Sequence, residues 1–189
     1  MKVRDSCMPE VSYWESLFDI DLILKEMQVN DSISNLMEVG SGYGTFTIPA
    51  AKLISGNLFA CDIENEMISF LQHRVAAEKA ENIFIHKKDI LEDDFADTIN
   101  FMNYVMLFNI MHHENPKAFL DKAYEMLATG GKVGIIHWRS DIETPRGPDV
   151  SIRPTAEDIL ALVDANQFEV NCADILFPPY HYGVILNKR

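Results

Sequence analysis

The chain has 189 residues, 48% of them hydrophobic and 24% charged, the composition of one globular domain with a substantial core. Its 29 acidic and 16 basic residues leave a net charge of −13, and such a field repels a phosphate backbone unless a local basic patch overrides it. Basic residues pair at Lys87-Lys88 and Lys188-Arg189 without a stripe of interleaved aromatics, so no nucleic-acid partner is expected, and no uncharged apolar run reaches the roughly 18 to 20 residues that a membrane span needs.

The start, "MKVRDSCMPE", is not followed by an apolar signal-peptide core, which points to a cytoplasmic protein. Cys7, Cys61 and Cys172 are odd in number, far apart and without a CxxC pair, so reduced cysteines are expected rather than a disulfide framework or zinc knuckle. Residues 1–30 read as a helical segment. In it Trp14, Leu17, Ile20, Leu24 and Met27 recur at three- and four-residue steps, and Pro9 suits its start.

Residues 31–189 then alternate apolar runs and helical patterns. "NLMEV" reads as a strand entering a glycine loop, "GTFTIPAAKLI" as a helix with Pro49 in its first turns, and "NLFACDI" as the second strand. "ENEMISFLQHRVAAEKA" carries Met67, Leu71 and Val75 along one helix face, "NIFIHKKDI" is a third strand, and "LEDDFAD" is an acidic connector. "INFMNYVMLFNI" is a fourth strand, apolar enough to be covered on both faces. "NPKAFLDKAYEMLATGG" reads as a helix with Asn115 as cap, Pro116 at the first position and Gly130-Gly131 as its stop. "KVGIIHW" is a fifth strand, "RSDIETPRGPDVSIRP" a polar loop, and "TAEDILALVDAN" a helix capped by Thr155. "QFEVNCADIL" and "YHYGVILN", joined without a helix, read as a closing antiparallel pair. The alternation predicts a single α/β domain: a doubly wound, three-layer sandwich with a mostly parallel sheet.

In such a sheet, ligands bind beyond the carboxyl ends of the strands. Gly40, Gly42 and Gly44 sit there in "EVGSGYG". The spacing is G-x-G-x-G, not the G-x-G-x-x-G that places a pyrophosphate at a helix N-terminus. Glu38 stands two residues before the loop, awkward for a pyrophosphate but suited to an ammonium or sulfonium charge. Asp62 ends the second strand and can accept from two ribose hydroxyls, or can cap the next helix. Asp89 ends the third and can accept from an adenine amino group. Met67 either packs on an adenine face or belongs to the core. With all of these on three successive strand ends, a nucleoside site is expected.

Together, "LMEVGSGYGTFTIPAA", "FACDIENEMI", "KKDI" and "LFNIMHHENPKAFLDKAYEMLATGGKVGIIHW" resemble the class I S-adenosylmethionine-dependent methyltransferases, in particular their compact type-11-like branch. The resemblance covers roughly residues 33 to 189. It implies a Rossmann-like fold of seven strands with the last one antiparallel. It implies that Glu38, Gly40, Ser41, Gly42 and Gly44 contact the methionyl part of S-adenosylmethionine. It further implies Asp62 with Ile63 at the ribose, Met67 beside the adenine, Asp89 with Ile90 at the adenine edge, and Asn109 between cofactor and substrate. The product would be S-adenosylhomocysteine. The opening segment, with Tyr13 and Trp14, looks like a lid over the pocket.

No Asn-Pro-Pro-Tyr motif is present, and "FPPY" at Phe177–Tyr180 lies after the sixth strand, so methylation of a nucleobase amino group is not supported. No long insertion provides a macromolecule-binding domain, and a small-molecule acceptor is expected. The candidate bases are His112, His113 and His137, with His181 a weaker one. His113, Trp138 and Arg139 are candidate substrate contacts. Adjacent histidines point in different directions, so no metal is expected at His112, His113 and Glu114. The oligomeric state is open, a homodimer included. A nicotinamide-dependent oxidoreductase and a non-catalytic module of the same fold are the rival readings.

Overall fold

A computed structural model describes residues 9–98 and 100–189. Cys7 and the first eight residues of the opening segment lie outside the described residues. Seven strands form one sheet in the order β3-β2-β1-β4-β5-β7-β6. They are β1 (Asn35–Val39), β2 (Asn57–Asp62), β3 (Ile83–Lys87), β4 (Met102–Phe108), β5 (Leu127–Trp138), β6 (Phe168–Phe177) and β7 (His181–Lys188). Pairing is parallel from β3 through β5, and β7 runs antiparallel to both β5 and β6. The mostly parallel sheet with its reversed last strand is thus as expected.

Alternation along the strands builds two cores. Leu36, Leu58, Tyr104 and Met106 face α2 (Ile20–Glu26), α3 (Thr47–Leu53) and α4 (Asn65–Glu78) through Leu24, Ile48 and Leu71. Met37, Cys61, Val105 and Leu107 face α5 (Pro116–Met126) and α6 (Ala156–Ala161) through Phe119, Leu120 and Ile159. The result is three layers, with β4 at the centre of the sheet. The connections reverse direction between β1 and β4, which opens a crevice at their carboxyl ends.

Two local expectations are corrected. The opening segment is not one helix but α1 (Val11–Glu15) and α2, separated by a turn. The Asp19 side chain accepts the Leu22 N–H and starts a new helix. Phe18, in the turn, stacks on His181 at 4.5 Å and meets Phe46 at 5.2 Å. Likewise α5 does not run to Gly130-Gly131. It ends at Met126, and the glycines lie inside β5, where the pairing with β4 slips between Met102 and Tyr104. Gly130 has φ +76 there. The helix stops where Leu127 turns to extended backbone, and a lysine meets the carbonyls left there. Lys188 Nζ donates to the Tyr124 and Leu127 carbonyls at 2.7 and 2.6 Å, placing a cation on the negative end of α5.

Candidate active site

A cavity of about 940 Å³ opens at the carboxyl ends of β1 to β4. Its floor is the glycine loop, and its walls include Trp14, Trp138 and the loop from Thr144 to Arg153. The loop's own backbone explains what it can hold. The Gly40 and Ser41 N–H groups both donate to the Cys61 carbonyl, at 2.8 and 3.1 Å, and the Gly44 N–H donates to Ser41 O at 2.9 Å. The Gly42 N–H donates to Asp62 Oδ2 at 2.8 Å. These four amides are therefore turned inward, and they present no nest for a phosphate.

Gly44 is required twice over. Its φ is +79, and an added Cβ would lie 2.4 Å from Leu71 Cδ1. Gly44→Ala is expected to destabilise the fold by about 1 to 3 kcal/mol. Thermal unfolding measured beside the wild type checks this.

Glu38 ends up fully buried beneath the loop and accepts a hydrogen bond from the Thr47 hydroxyl at the start of α3. A carboxylate thus already occupies the helix N-terminus that a pyrophosphate would take. Burial, reinforced by the nearby Asp62 charge, pushes the Glu38 carboxyl up to about 8, against the lowering effect of Thr47. A neighbouring cation would reverse that.

Asp62 holds the loop to β2. Besides Gly42, it accepts the Glu64 N–H at 2.9 Å through Oδ1. Burial pushes its carboxyl above the ordinary aspartate range despite those bonds. Asp89 lies two residues past β3 and accepts the Leu91 N–H at 2.9 Å.

Of the residues expected from the sequence, Glu38, Gly40, Ser41, Gly42, Asp62, Ile63, Asp89, Ile90, Asn109, Trp14, His112, His113 and Trp138 line this one cavity. Five do not. Gly44 packs away against Leu71. Met67 is buried on α4 at 4% exposure without reaching the cavity. Tyr13 is 42% exposed on the outer side of α1. Arg139 is drawn off by Asp141, which it meets through Nε and Nη2 at 2.9 and 2.7 Å. His137 is fully buried behind His112. The weaker candidate, His181, is buried against Trp138, with ring centroids 4.1 Å apart.

Sequence reasoning passed over several residues. Thr45 and Arg153 line the cavity, and Thr47 holds Glu38 from beneath. The two threonines follow the loop closely enough to have been suspected. Arg153 spans the polar loop, donating to Pro148 O at 2.8 Å and Arg139 O at 2.9 Å, and its guanidinium lies 6.0 Å from the Trp138 ring. Three buried polar atoms around the glycine-loop end of the cavity have no hydrogen-bond partner: Ser41 Oγ, Thr45 Oγ1 and Asn109 Oδ1. Orphaned groups of this kind are costly unless a ligand satisfies them. Among the described residues, no three His, Cys, Asp or Glu side chains converge to hold a metal ion, and no helix is long and apolar enough to cross a membrane.

The sequence model of the methyltransferase domain family matches residues 36–131, from β1 into β5, about half of the chain. The whole fold is similar to that of a SAM-dependent methyltransferase from Aquifex aeolicus. Identity is 20%, coverage 95% of this chain and 94% of that one, and the TM-score 0.82. It is similar also to the N-methyltransferase NodS from Bradyrhizobium japonicum, crystallised with S-adenosylhomocysteine, at 15% identity, 89% and 86% coverage and a TM-score of 0.66. Over 76 residues the chain is 32% identical to a protein of Methanosphaera stadtmanae named "Probable ribosomal RNA small subunit methyltransferase A", a stretch covering 40% of this chain and 27% of that protein. With the domain match over the glycine loop and the sheet that carries it, the chain belongs to the class I S-adenosylmethionine-dependent methyltransferases.

Proposed function

We propose that the cavity binds S-adenosylmethionine along the ends of β1 to β3 and passes its methyl group to a small-molecule acceptor held under Trp14, Trp138 and the loop from Thr144 to Arg153. The observation that carries this reading is the buried Glu38 beside three unpartnered polar atoms, Ser41 Oγ, Thr45 Oγ1 and Asn109 Oδ1. A carboxylate and an amide oxygen suit an ammonium group, and two hydroxyls suit a carboxylate, which is the inventory of a methionyl end. Asp62 would take the ribose hydroxyls on its remaining lone pairs. Asp89 and Ile90 would border the adenine. Bound there, the cofactor supplies an electrophilic methyl group on a sulfonium sulfur. The protein's share is to align the acceptor with that methyl and to exclude water.

The opening segment serves as the lid in this reading. It is tied over the loop by the Tyr43 hydroxyl donating to Pro9 O at 2.9 Å and by Arg74 Nη1 meeting Glu15 Oε1 at 2.7 Å. A walled cavity and a net charge of −13 favour a small acceptor. Calorimetric titration tests the cofactor assignment. S-adenosylmethionine and S-adenosylhomocysteine are expected to bind and NADH not to, and binding of NADH alone would overturn the reading.

A ribosomal RNA acceptor is the second reading, because the 76-residue relative carries that name. The absence of a gel shift with ribosomal RNA fragments at physiological salt supports the small acceptor. A specific shift, with methyl label transferred to the RNA, would replace it.

A further inference from the structure

His112, in the turn after β4, and His137, in β5, form a directed pair beside the cavity. His137 stands one residue past Ile136, whose carbonyl accepts the Asn109 N–H at 2.8 Å. That bond fixes the turn after β4 against β5 and brings His112 Nδ1 to 3.2 Å from His137 Nε2. On its other side, His137 Nδ1 lies 3.2 Å from the Trp138 carbonyl.

A carbonyl can only accept, so His137 carries its proton on Nδ1. Buried and neutral, it then offers a lone pair at Nε2. His112 must donate to that lone pair, which places the His112 proton on Nδ1. The lone pair of His112 is thereby left on Nε2, the nitrogen with no partner among the described residues, on a side chain that lines the cavity. Burial holds both rings below the ordinary histidine range, His137 at about 3. Both are therefore neutral at pH 7, and the relay of donors has one direction.

We infer that His137 is a positioning residue that locks the tautomer of His112, so that His112 Nε2 faces the cavity as a proton acceptor for a hydroxyl-bearing methyl acceptor. This rests on the methyltransferase reading of the cavity. In the step, the acceptor's oxygen–methyl bond forms as the methyl–sulfur bond breaks, with its electron pair left on sulfur. The hydroxyl proton passes to His112 Nε2, giving an imidazolium that later releases it to water.

The tautomer is read directly from imidazole nitrogen chemical shifts of ¹⁵N-labelled protein, with no acceptor needed. In the wild type, His112 Nδ1 is expected in the protonated range and Nε2 in the lone-pair range. His137→Phe, which fills the same space without an acceptor, is expected to move the proton to Nε2. His137→Gln, whose amide oxygen can replace the lost lone pair, is expected to retain the wild-type pattern. A wild-type His112 protonated on Nε2, or a pattern unmoved in His137→Phe, overturns the inference. S-adenosylhomocysteine affinity is measured on the same samples and is expected to stay within about threefold of wild type in both variants. Loss of binding in the wild type itself would sink the cofactor reading and leave the tautomer result standing on its own.

Discussion

Asp62→Ala is expected to weaken S-adenosylmethionine binding by about 100-fold or more. Hydrogen bonds to a charged group contribute about 1.5 to 3 kcal/mol each, and two ribose hydroxyls would be lost together. The same substitution frees the Gly42 and Glu64 amides that Asp62 now holds, so the glycine loop loosens and the unfolding temperature falls as well. Asp62→Asn separates the two effects. It keeps one acceptor oxygen and the side-chain shape, and an intermediate loss of about 10-fold is expected. Calorimetry gives the affinities, and circular dichroism checks that each variant is folded. Binding in Asp62→Ala that stays within about threefold of wild type would contradict the ribose assignment.

The second large effect belongs to Glu38. Its carboxyl titrates near 8 in the ligand-free protein because it is buried. An acid raised in the folded state stabilises the fold fully below its unfolded value and loses that contribution as pH rises toward the folded one. Between about pH 4.5 and 8, Glu38 therefore lowers stability by up to about 1.4 kcal/mol per pH unit. Glu38→Gln is expected to remove this slope and to be more stable than wild type at pH 8. It should nevertheless bind the cofactor about 10- to 100-fold more weakly, since a buried cation loses its counter-charge.

A linked effect is more specific still. At pH 7 the ligand-free Glu38 is mostly protonated, and a cationic ligand at the loop would expel that proton. Titrations in buffers of different ionisation enthalpy are expected to show close to one proton released on binding to the wild type. Glu38→Gln should lack that release. An equal release in both proteins would place the cationic group away from Glu38.

Much of this architecture was legible because the chain alternates long apolar strands with capped helices. Strands such as "VMLFNI" leave no doubt when both faces are covered. The closing antiparallel pair was legible too, since three residues cannot carry a parallel crossover. What escaped depends on phase and on contacts distant in sequence. Met67 lies one turn into a helix, where a small rotation decides between cavity and core, and periodicity does not resolve it. The break between α1 and α2 follows from Phe18 meeting His181, over 160 residues away. Gly130 and Gly131 look like a helix stop in sequence, but Leu127 is fully buried as strand. The cavity wall was equally hidden. Gly147, at φ +111, lies so close to Trp138 that an added Cβ would be 2.9 Å from the indole. The loop "TPRGPDVSIRP" therefore packs over an aromatic ring that nothing within the loop predicts.

At the site, the acids and glycines were readable because their chemistry is local. Each lies at or just past the carboxyl end of a strand, and strand ends converge. The histidine pair was only half readable. His112 follows β4 and His137 lies near the end of β5, but their contact depends on β4 and β5 being neighbours, and strand order is not written in the alternation.

The central claim is that this cavity, with Glu38 at one end and Asp89 at the other, is the cofactor site. A crystal structure with S-adenosylhomocysteine tests it most directly. The expected result places the ammonium by Glu38 and Asn109, the ribose hydroxyls on Asp62 and the adenine between Ile63 and Ile90. Ligand bound outside the cavity, or reversed in it with adenine at the glycine loop, would contradict the account.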